Sequence, residues 1–183
     1  GGFVIGSEMS GGVRNVYVSG CSFVGTDVGL RFKSTRGRGG VVENIFIDNI
    51  NMIDISNDAL TMDLYYAVND SPETPIPDVN EETPVFRNIY ISNVLCRGAG
   101  RAVYFNGLPE MPLKNIFIKN MTVTNAKKGI VINQASQVNM ENIKVEDPET
   151  PGIQIENATG IIINGKEYKK DSGKMLLSGD QRN

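Results

Sequence analysis

Short runs of alternating apolar and polar residues recur along this chain in two sets. The first reads Gly2-Phe-Val-Ile, Gly29-Leu-Arg-Phe, Ala59-Leu-Thr-Met, Ala102-Val-Tyr-Phe, Gly129-Ile-Val-Ile and Gly152-Ile-Gln-Ile. The second reads Asn15-Val-Tyr-Val, Asn44-Ile-Phe-Ile, Asn88-Ile-Tyr-Ile, Asn115-Ile-Phe-Ile and Asn142-Ile-Lys-Val. Gly2 to Gly29 and Ala102 to Gly129 are each 27 positions. Alternation with a period of two is the mark of a half-buried strand. Two sets advancing together describe one supersecondary unit stacked on itself, because a single unit cannot bury its apolar face alone. The inward positions then form rows through the stack, such as Phe3, Leu30, Leu60, Val103, Ile130 and Ile153.

After each run of the second set comes Gly20, Asn49, Asn93, Asn120 or Asp147, and then, in the first four repeats, Cys21, Ile50, Val94 or Met121. Glycine enters the left-handed backbone region freely, and Asn and Asp do so more readily than other residues. A one-residue corner there turns the strand and sends the next apolar side chain back inside. The pattern predicts an all-β chain, a right-handed parallel β-helix with one coil per repeat. Its coils are expected over 1–165. Ala59 to Ala102 is 43 positions, and the excess is a polar, proline-rich insertion over 66–84, expected to project from one side. Periodicity is lost over 166–183, which is expected to form an irregular cap or tail.

Composition narrows the chemistry. The chain has 183 residues and a net charge of −3, without a basic block, which argues against nucleic acid as a partner. No apolar run approaches the ~18 residues of a membrane span. Histidine is absent, which rules out a Ser-His-Asp triad, a Cys-His pair or a His-ligated zinc within this chain. The two cysteines, Cys21 and Cys96, are expected as buried free thiols. Nothing in the pattern calls for a metal or a cofactor.

Alternation also places the outward residues of the first set in two columns: Val4, Arg31, Thr61, Tyr104, Val131, Gln154; and Gly6, Lys33, Asp63, Asn106, Asn133, Glu156. Arg31 and Lys33 therefore sit side by side on one outward face, with Asp63 one coil beyond Lys33. Two cations beside a long loop suit a carboxylate or phosphate ligand, Arg by paired hydrogen bonds and Lys as a point charge. The other reading of the same residues is a solvated pair bridged to Asp63. Arg36-Gly-Arg-Gly-Gly lacks the context and ending of a phosphate-binding loop and reads as a flexible corner. Asp58 is expected to satisfy turn amides. Tyr65 and Tyr66, at the root of the insertion, suit either stacking on a sugar ring or pinning the loop.

Three stretches resemble glycoside hydrolase family 28, the polygalacturonases. Gly1-Gly-Phe-Val-Ile-Gly-Ser-Glu-Met-Ser-Gly-Gly-Val is similar to the segment of bacterial members that follows the family's histidine. Gly29-Leu-Arg-Phe-Lys-Ser is similar to its Arg-Ile-Lys segment, and Asp63-Leu-Tyr65 to the neighbourhood of a family tyrosine. The resemblance implies a pectin-lyase-like solenoid and a galacturonan (pectin) partner. Arg31 and Lys33 would bind the galacturonate carboxylate, Tyr65 would help shape the subsite, and the location would be secreted or periplasmic. Family members hydrolyse α-1,4-galacturonan with inversion, using aspartates in an Asn-Thr-Asp segment and an Asp-Asp pair. Neither segment occurs here, and the family's histidine would fall before or at Gly1. The implied protein is the C-terminal part of such a hydrolase, with no catalytic residue in this chain, inactive alone and prone to end-to-end self-association through its first coil. A non-catalytic carbohydrate-binding or structural β-helix stands as the alternative.

Overall fold

The protein is described by a computed structural model covering residues 1–66, 75–146, 148 and 150–168; the other parts of the insertion and tail, and the corner expected at Asp147, lie outside the described residues. Among the described residues ten strands follow in order: β1 (Phe3–Ile5), β2 (Val13–Val24), β3 (Leu30–Lys33), β4 (Val41–Asp63), β5 (Val85–Asn106), β6 (Leu113–Asn133), β7 (Ala135–Val145), β8 (Thr150–Glu156), β9 (Thr159–Ile163) and β10 (Lys166–Tyr168). Among the described residues there is no helix. The ladder runs β1-β3-β4-β5-β6-β7-β9-β10, with β2 on β4 and β8 on β6. Among the described residues every pairing is parallel except β9 with β10, a hairpin turned at Asn164-Gly165.

The first set stacks in the register its alternation requires. Leu30 pairs with Phe3 and Leu60, Leu60 with Val103, Val103 with Ile130, and Ile130 with Ile153. Leu30, Leu60 and Val103 are fully buried, as are Phe32, Met62 and Phe105 in the neighbouring row. Fully burying one such side chain contributes about 1.5–3 kcal/mol, so these rows hold successive coils together.

The short strands of the sequence fuse into long ones, because the hydrogen-bond ladder continues through the corners. β4 runs for 23 residues although Asn44, Asn49 and Asp54 within it have φ of 56°, 56° and 54°. The same columns hold Asn88, Asn93 and Gly98, then Asn115, Asn120 and Asn125, all at positive φ. Among the described residues these make three corner columns rather than one, and the two sides between them are each five residues long: in, out, in, out, corner. Asparagine supplies a second element here. Its side-chain amide bonds the next coil, as from Asn120 to Asn93 and from Asn115 to Asn88, both at 3.0 Å.

One alignment is corrected in the last full coil. Val138, not Ile143, lies over Ile116, so Gln137 takes the corner above Asn115. Asn142 lies over Asn120 and bonds it at 2.9 Å. Leu113 to Ala135 is 22 positions, five fewer than 27, because the single residue Gln134 stands between β6 and β7 where the six residues 107–112 stand between β5 and β6. Because the corner-apolar-x-apolar phrase recurs on adjacent sides of a coil, a shift of five residues leaves the sequence pattern looking unchanged. On the outside of this sheet Phe46, Tyr90 and Phe117 stack face to face, with centroids 5.0 and 5.1 Å apart.

Candidate functional site

Arg31 and Lys33 project from β3 beside Thr61 and Asp63 of β4, as the register demands. With Tyr66, Arg101 and Tyr104 they line a cleft of about 240 Å3 on the outward face of the first set. Lys33 Nζ lies 4.0 Å from the centre of the Tyr66 ring, and the Arg31 guanidinium carbon lies 5.5 Å from it. An aromatic face attracts a cation without consuming its hydrogen-bond donors, so both groups keep donors for a ligand. Arg31 also meets Asp27 at 3.5 Å, but the Asp27 side chain is 53% exposed and such a pair is weak. Lys33 and Tyr66 border a second, larger hollow of about 910 Å3 against β1 and the loop that follows it.

The bridge considered between Lys33 and Asp63 is not present: among the described residues no ion pair joins them. Asp63 instead accepts the Asn106 side-chain amide at 2.9 Å and the Tyr65 backbone amide at 3.1 Å. Asn133 donates in turn to Asn106 at 3.2 Å, so the outward column is a ladder of side-chain amides ending on a carboxylate. Asp58, expected to satisfy turn amides, pairs side by side with Arg101 in the parallel ladder and takes both its Nε and Nη2, at 2.7 and 3.1 Å. The Arg101 guanidinium also lies 3.8 Å over the ring of Tyr104, whose hydroxyl pKa is raised chiefly by burial. The cleft therefore has one cation already matched by a carboxylate, Arg101, and two with capacity to spare. That arrangement suits an anion such as a carboxylate or a phosphate.

Tyr65 lies apart from the cleft. Its backbone amide folds back on Asp63, which ends the alternation of β4 and exchanges the directions of the two tyrosines. Tyr65 packs on the core and against Arg36, whose guanidinium carbon is 5.3 Å from its ring. Tyr66 takes the place beside the cations that the sequence reading gave to Tyr65. The signal that identifies it is the aspartate two residues before Tyr65, which favours such a turn. Among the described residues no three His, Cys, Asp or Glu side chains gather as metal ligands.

Comparison with known proteins adds to this geometry. The family model described as glycosyl hydrolases family 28 matches residues 1–125, and that of a right-handed β-helix region matches 78–176. Among solved structures, a hyperthermoactive exopolygalacturonase from Thermotoga maritima superposes with a TM-score of 0.61 and 30% sequence identity. The match covers 96% of this chain and 34% of that enzyme, so the chain spans about a third of its length. No curated protein matches. The coils are therefore those of a right-handed parallel β-helix.

Proposed function

The chain belongs to glycosyl hydrolase family 28, and from that membership we propose that it forms the carboxylate-binding side of a cleft in which α-1,4-galacturonan is cleaved with inversion. The observation that carries this reading is the pair Arg31 and Lys33, adjacent on one outward face, backed by the Tyr66 ring and spared a full ion-pair partner. Arg31 offers a galacturonate carboxylate two parallel N–H donors and Lys33 a point charge. Tyr66 gives the sugar an apolar wall. Holding the carboxylate fixes the rotation of the sugar ring, and so presents the glycosidic bond in one orientation to the reacting groups.

Inversion needs an acid on the leaving oxygen and a base activating water on the opposite face, about 6.5–9.5 Å apart. The acids beside the cleft have other work: Asp58 clamps Arg101, Asp63 holds Asn106 and the Tyr65 amide, and Asp27 meets Arg31. The sequence holds no Asn-Thr-Asp, no Asp-Asp and no histidine. In this proposal the acid and base come from coils outside this chain. Polymeric pectin lies outside cells, which supports a secreted or periplasmic setting.

The test is a calorimetric titration of trigalacturonate and its methyl ester into the chain. The acid should bind weakly and less so in salt, the ester about tenfold more weakly, and Lys33→Ala should remove the difference. The same mixture should show no new reducing ends. Equal affinity for acid and ester, or cleavage that survives repurification and is lost in Lys33→Ala, would contradict the proposal.

A further inference from the structure

The loop from Ser34 to Gly40 joins β3 to β4, and its sequence suggests only a flexible corner. It is instead fastened to both ends of the insertion that follows β4. The Tyr66 amide donates to the Ser34 carbonyl at 3.1 Å, and the Gly37 and Gly39 amides donate to the Glu82 carbonyl at 3.0 and 2.9 Å. A Cβ at Gly39 would lie 2.1 Å from the Glu81 carbonyl oxygen, so the approach requires glycine. Arg36 completes the fastening. Its Nε and Nη2 donate to the two carboxylate oxygens of Glu110 at 2.6 and 2.8 Å, while its guanidinium lies against the ring of Tyr65. Glu110 sits in the turn between β5 and β6, and its side chain is only 5% exposed. One guanidinium thus ties together loops from three successive coils.

A two-point, charge-assisted pair with one partner buried is a rigid strut, and lysine cannot reproduce its fork geometry. The Arg36 bond also holds the Glu110 carboxyl below the usual carboxylate range, as an interaction made in the folded chain should. We propose that Arg36, locked by Glu110, is a positioning residue for the cation pair: it fixes Tyr65, and through the adjoining Tyr66 sets where the ring stands beside Lys33 and Arg31. The proposal rests on reading Arg31 and Lys33 as the galacturonate-carboxylate site. Neither Arg36 nor Glu110 lines the cleft, so an effect on ligand must travel through the two tyrosines.

Trigalacturonate titrations of Glu110→Gln, Arg36→Lys and the double variant test this, at a temperature where circular dichroism shows each chain folded. Each single change should weaken binding about five- to tenfold, and the double no further, because the two residues act as one unit. The Tyr66 ring resonances of the free variants should move as well. A lower melting temperature with unchanged affinity in both single variants would make the strut purely structural and overturn the proposal. Lys33→Ala, run alongside, separates the two failures. If it weakens binding about tenfold while the strut variants leave the affinity unchanged, the strut idea alone is wrong; if it also changes nothing, the cleft reading falls and takes the strut with it.

Discussion

The Lys33 ammonium rests against an aromatic ring, while its neighbour Arg31 is partly engaged by Asp27. That contrast makes Asp27 a competitor for any incoming carboxylate. Its side chain is exposed and accepts from Asn57 as well as Arg31, so the pair adds little to folding but places a negative charge at the cleft mouth. Asp27→Asn should therefore tighten trigalacturonate binding about two- to fivefold at low ionic strength, with the gain shrinking in salt. Weaker binding, measured the same way, would mean that Asp27 orients Arg31 rather than competing for it. At this scale the sequence was informative wherever strict alternation held. Arg31 and Lys33 follow from the period of the strand alone. Tyr66 did not, because a single backbone bond from Tyr65 to the Asp63 side chain breaks the alternation at that point. Arg36 and Glu110 are 74 positions apart, and no local pattern joins them.

Among elements, the corner is the part that repeats most strictly, and asparagine fills it for two separable reasons. Asn93 stands at φ 53°, donates to Asp48 at 2.7 Å and accepts from Asn120 at 3.0 Å. A left-handed residue with a Cβ costs roughly 1–2 kcal/mol, and each net hydrogen bond is worth about 0.5–1.5 kcal/mol. Asn93→Gly removes the bonds and keeps the backbone free, whereas Asn93→Ala loses both. Equilibrium denaturation should therefore find the alanine variant less stable than the glycine variant by about 1 kcal/mol. Equal stability would assign the corner's preference to the amide ladder alone. The corner also explains why the last coil was misaligned from sequence. Sides of equal length carry the same phrase, so apolar spacing reports which way a residue faces but not which side of the coil it occupies. Only pairing with the coil below, such as Val138 on Ile116, resolves that ambiguity.

Across the whole molecule, stacked coils turn a local alternation into a continuous wall, and the cleft is one strip of that wall. Residues one coil apart become neighbours at strand spacing, which brings Lys33, Asp63 and Asn106 into a line although they are 30 and 43 positions apart. Parallel β-helix architecture was legible because stacking requires the repeats to agree. The cleft was legible only on the strand side; its loop side depends on contacts between insertions, which carry no period. The central claim is that galacturonate is held by its carboxylate at Arg31 and Lys33. The most direct measurement is a crystal structure of the chain with trigalacturonate bound. The account predicts one carboxylate within hydrogen-bond distance, about 2.7–2.9 Å, of both Arg31 and Lys33, with a sugar ring beside Tyr66. A sugar seated elsewhere, with those two side chains still turned to Tyr66 and Asp27, would contradict it.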